Sequence, residues 1–210
     1  MSPSPGAVHL LSRLSPLPAR PPSGYTERMT SSLLLEATIT HLWNGQPATP
    51  AEAVALRLAR SPHALTVWFR APWHGDPSPP GPTGSCEGLW DYEVVELFIA
   101  HGTEYTELEL GPHGHHLLLR LRGVRQSWQR GLPVGAAVRR EGRHWEVHAE
   151  LPLALLPPEP WTFNAYAIHG SGAARRYLAL HAVPGAEPDF HRLDCFPALS
   201  AQVPNSQASW

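Results

Sequence analysis

The sequence predicts an all-β protein folded as a single antiparallel β-sandwich. Three observations carry this. Apolar residues recur at every second position in several short runs, the period of a half-buried strand. The 210 residues include 24 prolines and 17 glycines, which cut the chain into short elements joined by turns. No long amphipathic helical pattern occurs, so roughly nine to eleven strands at hairpin spacing are left to build the core.

Taken in order, residues 1–28 are rich in Pro, Ser and Gly and lack periodicity, so they read as disordered or as an over-extended N-terminus, with Met29 a candidate start. The sandwich is placed at 29–198 and a ragged tail at 199–210, the raggedness setting in from Pro197. Leu33 to Leu42 reads as a strand ending in the turn Trp43-Asn44-Gly45. Val54 to Leu58 and Ala64 to Phe69 are strands broken by Ser61-Pro62. Residues 72–85, a Pro/Gly-rich loop with Asp76, fall just before Trp90 and read as part of the rim of a site there. Strands follow at 93–99 and 105–110, then the turn Gly111-Pro112-His113-Gly114 and a strand from His115 to Leu121. Trp128 lies in the next connection. Ala136 to Arg140 and His144 to Leu151 form a hairpin around Glu141-Gly142-Arg143. One helical turn fits Pro152 to Leu156. Phe163 to His169 and Arg176 to His181 are the last strands.

Composition narrows the function classes. All 16 basic residues are arginine and the formal net charge is −2, so nothing draws the chain as a whole to nucleic acid or to an anionic membrane. Charge is segregated, however. Residues 87–109 hold seven acids and no arginine, and residues 120–143 hold seven arginines and one acid. Neighbouring strands of opposite sign can neutralise each other across a sheet. Two cysteines, Cys86 and Cys195, are too few for a disulfide scaffold or a cysteine zinc site. No run of ~20 apolar residues suggests a membrane span. Arg13 interrupts the only apolar stretch near the N-terminus, so no secretion signal is read and a cytoplasmic location is expected. The 13 histidines, among them His113, His115 and His116 near one turn, show no HExxH-type spacing, and no metal is expected. The only methionines are Met1 and Met29, so a Met–His haem inside the sandwich is excluded and no cofactor is expected.

The candidate site starts at Leu89-Trp90-Asp91-Tyr92-Glu93-Val94-Val95-Glu96-Leu97-Phe98-Ile99. Val95, Leu97 and Ile99 share one face; Val94, Glu96 and Phe98 share the other. A Glu between two apolar neighbours needs a hydrogen-bond partner or a ligand. Trp90, at the loop end of this strand, can overhang whatever Glu96 touches. Downstream, Leu108 and Leu110 share one face and Tyr105, Glu107 and Glu109 the other. Such a face is either the wet side of an antiparallel sheet or a surface for a polyhydroxyl ligand, whose hydroxyls donate to carboxylates and whose C–H faces lie on flat rings. Two carboxyls can also cut a glycoside, but any i,i+2 pair on a strand is ~7 Å apart, so the spacing alone does not select catalysis.

The strings Leu-Trp-Asp-Tyr-Glu-Val-Val-Glu at 89–96 and Tyr-x-Glu-x-Glu-Leu-x-Pro-His-Gly at 105–114 resemble an uncharacterised protein family related to carbohydrate-binding module family 9, of the DOMON-like β-sandwich group. The likeness continues in Phe163-Asn164-Ala165-Tyr166-Ala167-Ile168-His169-Gly170-Ser171, in Arg176-Tyr177-x-Ala179-Leu180 and in Pro188-Asp189-Phe190-His191. It implies a sandwich with a ligand site at one end or on one concave face. There, aromatic rings clamp a sugar and carboxylate, amide and arginine groups hold its hydroxyls. Trp90 and Glu96 match one aromatic and one acid, and Asn164 the amide. The position of the second clamping ring holds Ala167, leaving Tyr166 or Trp161 as the nearest aromatics. On this alignment Arg176 is expected to pair with Glu96 across the sheet, and His191 joins the site.

The expectation is therefore a non-catalytic sandwich binding a saccharide-like small molecule through Trp90, Glu96, Glu107, Asn164, Tyr166, Arg176 and His191. A glycan-active or metal-dependent hydrolase and a protein-interaction module are the alternatives.

Overall fold

The computed structural model describes residues 31–200; the readings of residues 1–28 and of 201–210 lie outside them. Thirteen strands form in chain order: β1 (Ser32–Ile39), β2 (His41–Leu42), β3 (Val54–Arg60), β4 (Ala64–Pro72), β5 (Gly84–Ser85), β6 (Val94–His101), β7 (Glu104–Leu110), β8 (His115–Arg122), β9 (Ser127–Gln129), β10 (Gly135–Glu141), β11 (His144–Pro152), β12 (Thr162–His169) and β13 (Arg176–Ala179). The helical content is confined to single 3-10 turns, including the expected one at Leu153–Leu155.

The strands make two sheets. One has the order β1-β3-β4-β11-β10; the other has the order β2-β13-β12-β6-β7-β8-β5, with β9 added against β8. Every pairing is antiparallel except the two-residue contact of β5 with β8. The molecule is thus an all-β, antiparallel sandwich.

Residue alternation decides the layers. Leu56 and Leu58 of β3, Val67 and Phe69 of β4, and Trp145 and Val147 of β11 face Val95, Leu97 and Ile99 of β6 and Leu108 and Leu110 of β7 across the inter-sheet core. Trp161 also lies in this core, its indole N–H donating to Pro157 O at 2.9 Å, which removes it as a second ring for the site.

The outer face of the eight-stranded sheet is not wet. Phe98, Tyr105, Leu119, Leu121, Tyr166 and Ile168 build a second apolar layer there, roofed by Val183, Phe190 and Phe196 from the chain after β13. β6 is in consequence buried on both faces from Val94 to Ala100. Residues 197–199, where the sequence reads as the onset of a ragged tail, stay attached: Phe163 N donates to Pro197 O at 3.0 Å and Leu199 N to Trp161 O at 2.8 Å. No helix among the described residues is long and apolar enough to cross a membrane.

Candidate functional site

The outer face of the eight-stranded sheet holds a cavity of about 380 Å³, at the lower end of the size range of ligand pockets. Its walls bring together Trp90, Glu96, Glu107 and His191 of the expected residues, with Phe98, Tyr177 and Phe190 as further rings.

Trp90 sits on a 3-10 turn, Leu89–Asp91, that opens at Gly88 in the left-handed region (φ 76°). Leu89 is wholly buried, whereas Trp90 keeps 39% of its surface. One apolar anchor thus holds its neighbour outward at the rim. The turn is fastened by Arg175, whose guanidinium donates to the carbonyls of Trp90, Asp91 (2.9 Å) and Tyr92 (3.3 Å) and, on the other side, of Gly170 (2.9 Å).

Glu96 and Glu109 are register partners on β6 and β7, and Glu107 lies opposite Phe98. Relative exposures are 2% for Glu96, 4% for Glu107 and 0% for Glu109. Neither oxygen of Glu109 and not Oε2 of Glu107 has a hydrogen-bond partner among the described residues. Burial, reinforced by the neighbouring carboxyls, raises Glu96 and Glu109 far above the usual carboxylate range. Burial raises Glu107 as well, to about 7, against the opposing pull of the Glu109 side chain and then of Arg125 and Arg130. Like charges placed directly opposite on a ladder would repel; protonation removes that repulsion.

His191 is tuned the other way. Burial, with help from Arg125, lowers it to about 4, so it is neutral. The Tyr105 hydroxyl accepts from Arg125 N at 2.9 Å and lies 2.7 Å from His191 Nδ1. The Tyr105 hydroxyl both donates and accepts, so this contact fits either tautomer of the neutral His191 ring. Burial in turn raises Tyr105 to about 12. Asp189 completes the corner by accepting from His191 N (3.1 Å) and pairing with Arg125 (3.0 Å).

Three expected residues lie elsewhere. Arg176 does not pair with Glu96. It starts β13 opposite His169 and donates to both oxygens of Glu52, at 2.8 and 3.2 Å. A strand's side chains alternate, so Arg175 and Arg176 serve opposite faces of the sheet, and it is Arg175 that comes near Glu96. Asn164 is wholly enclosed. Its amide donates to Tyr166 Oη and to His181 O (2.9 Å each), and its oxygen accepts from His181 N and Ala165 N. Tyr166 is covered by the Phe190 ring, stacked at 3.8 Å, and its hydroxyl donates to Phe190 O. All hydrogen bonds of this pair are spent inside the protein.

The 72–85 loop is also displaced from its expected place. None of its residues lines the cavity. It crosses the end of the sandwich, where Glu93 accepts from His74 N, Asp76 N and the Trp145 indole, and where the His74 ring stacks on His169. Among the described residues, no group of three His, Cys, Asp or Glu is placed to hold a metal ion, and Cys86 and Cys195 are free thiols.

Residues that the sequence reading missed are Arg125, Arg130, Arg175, Tyr177 and Phe190. The segregated charge was the available signal for two of them: Arg130 does pair with Glu87, and Arg122 with its register partner Glu104, but Arg125 and Arg130 also reach the cavity wall.

No family model matches the chain. A candidate carbohydrate-binding protein from Bacteroides uniformis aligns with a TM-score of 0.61 over 82% of this chain and 86% of that one, at 16% identity. A carbohydrate binding module family 9 protein from Caldicellulosiruptor kristjanssonii, in complex with glucose, aligns with a TM-score of 0.47 over 80% and 82%, at 11% identity. In sequence, the UPF0462 protein C4orf33 homolog of Mus musculus is 40% identical over 176 residues, which span 79% of this chain and 91% of that protein. At that identity and coverage, the chain belongs to the UPF0462 family.

Proposed function

We propose that the protein is a non-catalytic sandwich that binds a saccharide or similar polyol in the cavity of the eight-stranded sheet. The carrying observation is the meeting, in one cavity, of a half-exposed Trp90 with Glu96, Glu107 and the imidazole of His191. A flat ring at the rim suits the C–H face of a sugar. Carboxyls and an imidazole on the walls suit its hydroxyls. The fold likeness to a candidate carbohydrate-binding protein supports the same reading. Asn164, Tyr166 and Arg176 serve it as framework.

Isothermal titration of the full chain against mono- and disaccharides tests this. Trp90→Ala should weaken a saccharide hit by about tenfold or more, the cost of losing one stacked ring, with the melting temperature unchanged. Equal affinity in the variant would remove this cavity as the site. Glu96→Gln separates a binder from an enzyme: a binder loses affinity, whereas an enzyme loses turnover and keeps binding.

A further inference from the structure

The cavity is lined by buried carboxyls with oxygens that no donor among the described residues satisfies. Glu107, 4% exposed, lines it with an unpartnered Oε2, and two residues along the same face of β7 Glu109 is fully enclosed with both oxygens unpartnered. Glu96 lines the cavity opposite Glu109. Each carboxyl brings two acceptor oxygens and at most one proton. Arg125, Arg130 and Arg175 also line the cavity, but their guanidinium groups are engaged by other acceptors. Arg125 is paired with Asp189 and Arg130 with Glu87, and Arg175 is spent on four backbone carbonyls.

A hydroxyl supplies one donor, an ammonium three and no acceptor. Buried carboxyls are also the groups that gain most from a cation, because a partner charge offsets their loss of hydration. The walls suit one too: they carry the rings of Trp90, Phe98, Tyr177 and Phe190, and aromatic quadrupoles attract cations. A carboxylated sugar would bring acceptor oxygens, and no donor, to these carboxyls.

We propose that the ligand carries a primary ammonium group, seated between Glu96 and Glu107 within the aromatic wall, which makes it an aminosugar or amino-polyol. This rests on the saccharide reading above. On binding, one carboxylic acid gives its proton to solvent and faces the ammonium as a carboxylate; no covalent bond between heavy atoms changes. The charged groups facing these carboxyls are Arg175 at Glu96, and Arg125, Arg130 and Glu87 at Glu107, with Glu109 between them on the sheet and His191 neutral.

Titration calorimetry of the full chain near neutral pH, in two buffers of different ionisation enthalpy, reads both affinity and proton release. The probes are D-glucosamine, D-glucose, N-acetyl-D-glucosamine, D-glucuronate and a linear alkyl diamine. Glucosamine should bind about tenfold tighter than glucose or its N-acetyl form, releasing up to one proton. Glu107→Gln, a neutral isostere that keeps the fold, should bring glucosamine down to the level of glucose. Glucose binding without a glucosamine preference, or a preference for glucuronate, overturns the ammonium seat and leaves the saccharide reading standing. Diamine binding that exceeds every sugar upholds the seat and sinks the saccharide reading. Silence from all five probes overturns both.

Discussion

Glu109 is the residue at which burial is most at odds with charge. It has no exposure and, among the described residues, no partner within hydrogen-bond distance, and burial together with Glu96 and Glu107 raises its titration. A carboxyl raised in the folded state contributes stability that is complete below its unfolded value of 4.5 and is lost as pH climbs towards the folded value. Glu109→Gln removes that loss and gives the enclosed oxygens of Glu107 an amide donor. Urea denaturation at mildly alkaline pH should show the variant more stable by about 1–3 kcal/mol, the cost of an unsatisfied buried group; a less stable variant would mean that Glu109 is satisfied in the native state. Strand period made this face legible. Alternation places Glu96 and Glu107 on neighbouring strands, the loop before the first strand places Trp90 over them, and all three line the cavity. Tyr166 and Asn164 obey the same alternation and reach the same face, yet Tyr166 is covered by Phe190, from a segment without periodicity, and Asn164 is bound to the His181 backbone. Burial by a distant loop leaves no trace in a strand's own pattern.

At the scale of elements, the decisive joint is the turn between β12 and β13. Gly170 has φ 76°, and a Cβ there would run into Ala174 O. Its N–H donates to Asp76 Oδ2 at 2.5 Å and its carbonyl accepts from Arg175. One glycine therefore ties the 72–85 loop to the clamp that holds Trp90. Gly142, in the β10–β11 hairpin, has φ 58° but nothing within reach of a Cβ. Gly142→Ala should cost about 1 kcal/mol, the left-handed penalty alone. Gly170→Ala should cost about 2–4 kcal/mol, adding a steric displacement, and should change the fluorescence of Trp90. Equal urea midpoints for the two variants would count against this coupling. The same joint shows why Arg176 was misassigned. Which of two adjacent arginines faces Glu96 depends on how the 170–175 turn delivers the chain into register with His169, and a one-residue choice there flips the face.

For the whole molecule, buried titratable groups set an unusual pH profile. Burial lowers His74, His169, His181 and His191, so each stays neutral in the fold and contributes stability that fades as pH falls below 6.5. Glu52 is lowered to about 2, because the hydrogen bonds from Arg176 and Thr49 together outweigh its burial; its contribution fades as pH falls from 4.5 towards 2. The raised carboxyls work in the opposite sense, draining stability as pH rises. Between 4.5 and 6.5 the two groups offset each other; above 6.5 only the carboxyls remain. The ligand-free protein should therefore melt highest in mildly acidic buffer and progressively lower towards alkaline pH. A melting temperature that rises steadily over that alkaline range would contradict the assignment of neutral carboxyls.

The roof of the outer layer has a consequence for how the protein is made. Val183, Phe190 and Phe196 come from the end of the described chain, whereas the strands that they cover are already synthesised by His169. As the ribosome delivers the chain from its N-terminus, the inter-sheet core can close while Phe98, Tyr105 and Tyr166 still lie open on the sheet. The nascent protein thus passes through a stage with one finished core and one greasy, acid-studded flank, and the cavity exists only once the last segment has folded across it. A premature stop near residue 182 would leave that stage permanent: a sandwich with its strands in register, no pocket, and a surface that invites aggregation.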